Sequence, residues 1–297
     1  MTDAALAARP VVERRRGETL TATALVGPAT LFVAVSLLGP LAILLRYSLN
    51  GFAEATKTMV AAVTLANYVK FLTDPYYTSI LVTTVRIAVL VTVVCLVLGF
   101  PLAYVVARTH SRFKNLLLMA IVLPLFVGNA VRAAGWMVVF GNKGFFNTTL
   151  AWLGVIDAPL EIMFTEKAVV IGIIAVNLPF MVLSLQSVIE GIDRAVEEAA
   201  YSLGAPPLTM FRRVLWPLAL PGVLAGTILT FILAMNAYAT PFLLGGPLFN
   251  MMAPLIYNQF TQQSNWPFGG AIAVILMAVT LGLTVAANLM VRRPVAR

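Results

Sequence analysis

Apolar runs longer than the ~20 residues that carry a helix across the hydrocarbon core of a bilayer recur six times along this chain. They lie at about 22–45, 79–107, 116–140, 168–189, 218–244 and 268–291. No other feature narrows the fold as far. Each run predicts one spanning helix, and together they predict an all-α integral membrane protein with six transmembrane helices. Composition agrees, with 60% hydrophobic residues, 11% charged residues and a mean hydropathy of +0.93 over 297 residues. The first run is longer than the apolar core of a signal peptide and has no clear small-residue cleavage site, so it is expected to remain as the first span.

A net charge of +8 raises nucleic acid as a partner, but on so apolar a chain it reflects lysines and arginines flanking the spans, and none is expected. Of the 20 basic residues, 13 fall on one side: the tail 1–21, the loop after the second run, the loop 190–217 and the tail 292–297. Five fall on the other side (Arg46, Lys57, Lys70, Lys143 and Lys167), while Arg86 and Arg132 lie inside runs. Positive-inside counting therefore predicts both termini and the 190–217 loop in the cytoplasm. The cluster Arg14-Arg15-Arg16 either holds the amino terminus there or forms a basic arm with its own role. On the opposite side, Asp74-Pro75 marks a helix start, because proline suits the first turn and an acidic residue suits the positive dipole end. Residues 141–167 read as a soluble loop with turn signals at Gly141, Gly144 and Gly154.

Catalytic chemistry has little to work with. One histidine, His110 in a basic loop, and one cysteine, Cys95 in an apolar run, cannot make a usual transition-metal cluster. No G-x-x-x-x-G-K-[ST] phosphate loop occurs, so the chain is not expected to bind or hydrolyse ATP through such a loop. Polar residues at membrane depth are the better functional candidates, since burying them in lipid is costly. Asn129, Arg132 and Trp136 share one face of the third run by their three- and four-residue spacing, and Asn177, Asn236 and Tyr238 come from the fourth and fifth. They either line a water-filled route for a polar solute or serve helix–helix hydrogen bonding, with Arg132 snorkelling. Prolines 101, 124, 179, 221 and 241 interrupt the runs, and kinks at Pro124 and Pro179 would shape a gate or an ordinary bend. Gly222 and Gly226 have small-xxx-small spacing for close helix contact.

Between the fourth and fifth runs lies a polar island, residues 193–203, built from helix formers and ended by Gly204-Ala205-Pro206-Pro207. Ala199, Ala200 and Gly204 leave one flank nearly bare, where another surface can approach, and Glu197 and Glu198 offer charge on the same short helix. A second amphipathic segment places Leu208, Phe211 and Leu215 on one side.

These residues resemble a known signature. Glu198-Ala199-Ala200, three residues, Gly204, nine residues, Val214 and then Pro217 is similar to the EAA motif of ABC-importer permease subunits, with Val214 and Trp216 standing for isoleucine and leucine. Leu123-Pro124, Val131-Arg132, Trp136, Gly141-Asn142, Asn147, Met163-Phe164-Thr165, Leu178-Pro179-Phe180 and Trp266-Pro267-Phe268-Gly269 further resemble the PotB-type permeases of spermidine/putrescine importers. The resemblance implies a type I ABC-importer permease fold in the bacterial inner membrane, with a cytoplasmic coupling helix. It implies four kinds of partner: a second, PotC-like permease, two ATPase subunits holding the ATP-Mg, a periplasmic substrate-binding protein and the lipid bilayer. Coupling to the ATPases would fall to Glu197, Glu198, Ala199, Ala200, Gly204 and Ala205. A secondary transporter would more naturally carry intramembrane carboxylates, yet Glu190 alone lies in runs two to six, near an end. A membrane-embedded enzyme lacks a nucleophile or metal set. The cargo implied by the family is a polyamine, although Arg132 on the candidate route repels cations.

Overall fold

The computed structural model describes residues 11–109, 113–247 and 249–292, with side chains from Val26 to Leu289. His110, residues 1–10 and residues 293–297 lie outside the described residues. The chain begins with α1 (Val11–Ser48), a hairpin of β1 (Gly51–Ala53) and β2 (Thr58–Val60), α2 (Ala66–Thr73), α3 (Pro75–Arg108) and α4 (Lys114–Val122). A 3-10 turn (Leu123–Phe126) leads to α5 (Asn129–Phe140), α6 (Phe145–Trp152), α7 (Glu166–Glu190) and α8 (Arg194–Ser202). The last part comprises α9 (Pro207–Met210), a π turn (Phe211–Leu215), α10 (Trp216–Met235), α11 (Ala239–Leu244), α12 (Met252–Thr261) and α13 (Trp266–Arg292).

Among the described residues, five segments are long and apolar enough to cross a membrane: Val26–Ser48, Pro75–Arg108, Glu166–Glu190, Pro207–Met235 and Trp266–Leu289. The expected third span, 116–140, is not one helix. It breaks after Phe126, and the chain resumes at Asn129 bent by 99°. Pro124 lacks an N–H, Val127 is extended at φ −88°, ψ 126°, and Gly128 takes the N-cap position of α5. The expected fifth span, 218–244, also divides. Helix α10 ends at Met235, where the Asn236 N–H turns back to the Ile232 and Ala234 carbonyls, and Pro241 lies in the first turn of α11. The amino-terminal tail expected to reach residue 21 is helical from Val11, continuous with the first span. The expected soluble loop at 141–167 holds α6, and α12 lies between α11 and α13.

The core is a three-helix contact of α3, α7 and α10. Val91, Cys95 and Phe100 from α3 meet Met181, Val182 and Leu185 from α7 and Ala219 and Val223 from α10 in one buried cluster. Close approach of α10 to α7 depends on Gly222 and Gly226. A Cβ at Gly222 would stand 2.9 Å from Val188 Cβ, and one at Gly226 would stand 2.7 Å from Met181 Sδ. The small-xxx-small reading of this pair therefore holds. By contrast, α1 packs mainly on α13, and Leu31, Phe32, Val35, Leu37 and Leu38 are exposed, an arrangement suited to lipid.

The expected helix start at Asp74-Pro75 is present, with the Asp74 carboxylate accepting from the Tyr76 N–H at 2.9 Å. Away from α8, side-chain amides pin the irregular chain. Asn67 donates to the Ser48 and Asn50 carbonyls at 2.9 and 2.8 Å, tying α2 to the end of α1. Buried Asn147 exchanges hydrogen bonds with the Leu160 backbone at 2.8 and 3.0 Å and donates to the Gly141 carbonyl, so the 141–160 loop is closed on itself.

Replacing Gly226 by leucine is expected to lower the thermal unfolding midpoint in detergent, as overpacking of a tight contact costs about 1–3 kcal/mol. Gly39→Ala, where an added Cβ meets nothing within 4 Å, should leave the midpoint unchanged or slightly raised. Equal midpoints for both variants would contradict the α7–α10 contact.

Candidate functional site

Both helix breaks open onto one cavity of about 570 Å³. Its wall is formed by the 125–129 turn, the start of α5, the middle of α7, and the chain from the end of α10 into α11. A helix end leaves backbone N–H and C=O groups without intrahelical partners. In lipid that is tolerated where the irregular chain is buried in protein or faces a water-filled space. The two breaks meet this condition together, on either side of Asn177 in the middle of α7.

Asn129, Arg132, Asn177, Asn236 and Tyr238 all line this space, joined by Thr240 and Phe180. Arg132 donates from Nη2 to Asn129 Oδ1, while its Nε and Nη1 are buried without a partner. Asn177 is 1% exposed, and its Nδ2 is also unpartnered. Asn236 donates from Nδ2 to the Ile232 carbonyl at 2.9 Å, capping α10. Tyr238 packs on Tyr257 and Phe242, with ring centroids 4.9 and 5.4 Å away. Among the described residues, the lining carries one guanidinium and no carboxylate. Its unpartnered donors can be satisfied by water or by acceptor atoms of a solute.

Trp136 does not join them. Its ring stacks on Phe140 at 4.9 Å, one turn further along α5, and packs against the core away from the cavity lining. The i, i+4 relation to Arg132 was sound, but a guanidinium reaching back toward Asn129 and an indole packed toward Phe140 leave in opposite directions along the helix.

The polar island forms α8, with Asp193 as N-cap accepting from the Ala195 N–H at 2.9 Å. Gly204 ends it at φ +79°, a left-handed conformation that glycine adopts without strain. Glu198, Ala199 and Gly204 are exposed, and Ala200 and Ala205 are half-buried. Leu203 is 89% exposed and Leu208 76%. Glu197 departs from expectation. It is buried and points inward, pairing with Arg108 at the end of α3 and accepting from Tyr104 Oη at 2.9 Å. It therefore offers no charge to an outside surface. Leu208 also separates from Leu215, which is buried, because the π turn between them shifts the helical register.

Sequence reasoning missed Tyr104, Arg108 and Thr240. The first two end an otherwise ordinary apolar run, and no local pattern marks a contact to a residue 93 or 89 positions away. Thr240 carried no local signal, since it lies inside α11 next to Pro241 and reaches the cavity only because the chain breaks at 236–238. Glu190, the one acidic residue placed near a run end, is satisfied by Lys114 Nζ at 2.6 Å.

A bundle of spanning helices broken around a polar cavity, with a short exposed helix in the loop between two of them, is the architecture of a transport subunit. The chain belongs to the family of binding-protein-dependent transport system inner membrane components, whose pattern matches residues 60–293. It is an ABC-importer permease subunit, a multi-pass inner-membrane protein that is itself non-catalytic. Membership implies a partner permease, an ATPase carried on a separate subunit and a periplasmic binding protein. Among its relatives is the spermidine/putrescine transport system permease protein PotB of Escherichia coli (strain K12), 39% identical over 220 residues, covering 74% of this chain and 79% of that one. The protein of the same description from Haemophilus influenzae is 36% identical over 236 residues, covering 78% and 82%. In fold, the chain is similar to a subunit of a bacterial alginate ABC transporter solved with its alginate-bound periplasmic protein, with a TM-score of 0.77, 18% identity and coverage of 96% and 98%.

Cysteines introduced at Asn236 and Tyr238 are expected to react with a small hydrophilic maleimide, while one at Ala133, buried on α5 and outside the lining, should react far more slowly. Native Cys95 is fully buried and gives little background. Equal rates at all three positions would argue against a water-filled cavity at the breaks.

Proposed function

We propose that the chain is one half of the translocation pathway of a polyamine importer, taking spermidine- or putrescine-like cargo from a periplasmic binding protein. The observation that carries this reading is the 39% identity to a spermidine/putrescine permease over 220 residues, a stretch that includes most of the spans. The second permease is a different, PotC-like chain, and two ATPase subunits bind the ATP-Mg. Both termini and α8 face the cytoplasm, where the excess of lysine and arginine lies. Helix α8 and the residues after it, presenting Glu198, Ala199, Ala200, Gly204 and Ala205, seat in a cleft of the ATPase. Exposed Leu203 and Leu208 supply apolar surface that water would disfavour and a partner would cover.

Cargo passes the cavity lined by Asn129, Arg132, Asn177, Asn236 and Tyr238. A guanidinium without a facing carboxylate disfavours a bare cation there. The partner permease supplies the carboxylates, and this half contributes hydrogen bonds and the aromatic face of Tyr238. An ion-coupled secondary transporter would call for acidic side chains along the route, and among the described residues none lines the cavity.

Two experiments test these points. Proteoliposomes holding the assembled importer should take up labelled spermidine or putrescine only with ATP inside and the binding protein outside. ATP-independent uptake driven by a proton or sodium gradient would sink the reading. Gly204→Trp adds both bulk and strain at φ +79° and should abolish uptake and weaken ATPase co-purification. Normal uptake with normal ATPase binding would remove α8 from the docking role.

A further inference from the structure

Helix α3 holds the 191–217 loop along one continuous stripe. Phe100, Tyr104 and Arg108 are spaced four apart and so share one face of α3. Phe100 meets Phe211 edge-on at 5.1 Å and Trp216 at 5.6 Å, at the start of α10. One turn further, Tyr104 donates to Glu197 Oε2, and after another turn Arg108 pairs with Glu197 Oε1 and donates to the Ile192 carbonyl at 2.9 Å. Arg194 closes the ring by donating to the Arg108 carbonyl at 2.8 Å. The side chains of Arg108 and Glu197 are 12% and 9% exposed. Such a pair is shielded from screening, and removing one partner leaves the other as an uncompensated buried charge.

The outward face of α8, with Glu198, Ala199 and Ser202 exposed, is open, while its inward face is held by α3, α9 and the π turn. Helix α3 then runs for 34 residues, about 51 Å at helical rise, through the α7 and α10 contacts to the far end. Short of that end, nine residues from Pro75, Thr84 Oγ1 accepts from the Met252 N–H at 3.0 Å, joining α3 to α12. One continuous helix thus connects α8 with the cavity-lining α7 and with the opposite end of the bundle.

The geometry points to Glu197, held by Tyr104 and Arg108, as the positioning residue through which movement of α8 reaches the spans. Helix α3 is the lever and the ion pair its clasp. This rests on the reading that α8 docks on the ATPase. It differs from that reading in what Glu197 does: it faces inward, to α3, and conveys displacement instead of making the docking contact. The competing route is covalent, through residues 191–193 to α7 and through residues 203–206 to α9, the π turn and α10, and it is untouched by any change at Glu197.

The assembled importer in proteoliposomes separates the two routes. Glu197→Gln keeps the shape of the side chain but removes the charge that pairs with Arg108 and leaves one acceptor oxygen in place of two. Cargo taken up per ATP hydrolysed is expected to fall roughly three- to thirty-fold, the range that single changes to a coupling network reach. Tyr104→Phe should give a smaller fall of the same kind. An unchanged ratio in Glu197→Gln would overturn the proposal. So would loss of the ATPase subunits from that variant, which would make Glu197 a support for the docking fold and leave docking itself standing. Normal uptake together with normal ATPase binding in Gly204→Trp would instead sink the docking reading. A second measurement does not depend on how well the Glu197 variant folds. Spin labels at Ser202 and Val105, in a Cys95→Ala background, should keep one separation in the nucleotide-free and vanadate-trapped importer. A separation that changes between the two states would show that α8 moves free of α3, and would overturn the proposal.

Discussion

Backbone hydrogen bonding in lipid is the constraint on which this structure depends. Wherever the chain leaves a helix at membrane depth, its freed N–H and C=O groups need other partners. The two breaks, after Phe126 and after Met235, are placed so that one polar space serves both. Asn236 answers part of the need directly by capping Ile232, and the rest falls on the cavity. Discontinuous helices around a central site are a recurring solution in transporters, because the same unsatisfied groups that destabilise a bare helix end are useful to a polar solute. The pathway and the helix breaks are thus two descriptions of one arrangement.

The rest of the bundle is built to hold that arrangement in place. Glycines at 222 and 226 let α10 lie against α7 at backbone range, which fixes the end of α10 beside Asn177. The ion pair of Lys114 with Glu190 joins the beginning of the broken third span to the end of α7. Arg86, although inside an apolar run, pairs with Glu166 at the start of α7 and so does not sit in lipid as a lone charge. On the outer face of the bundle, α1 contributes apolar surface without much core, consistent with a solvent that is itself apolar.

Much of this was legible in the sequence, for reasons that also explain the failures. Spanning helices announce themselves by length and apolarity, and the capped start at Asp74 follows from local chemistry alone. The breaks were hidden because the apolar run continues through them: Val127-Gly128 and Ala237-Tyr238 are no less suited to lipid than their neighbours. Pro124 and Pro241 marked the places but do not distinguish a kink from a stop. Five of the six polar residues picked from three separate runs converge on one cavity, and Trp136 alone was misplaced. Glu197 was misread for a different reason. Its neighbours in sequence are solvent-facing, and only the tertiary fold brings α3 beneath it.

The π turn at Phe211–Leu215 carries a consequence for how the docking segment is aimed. One extra residue in a single turn offsets the angular phase of everything before it by about a 100° step relative to α10. Leu208 therefore faces outward although an unbroken helix would have placed it beside Leu215, inside. The direction in which the loop presents its apolar side chains is set by chain length through this turn as much as by side-chain identity. Deleting one residue there would leave composition and hydropathy almost untouched, yet it would swing the outward-facing segment about a quarter of the way around its axis.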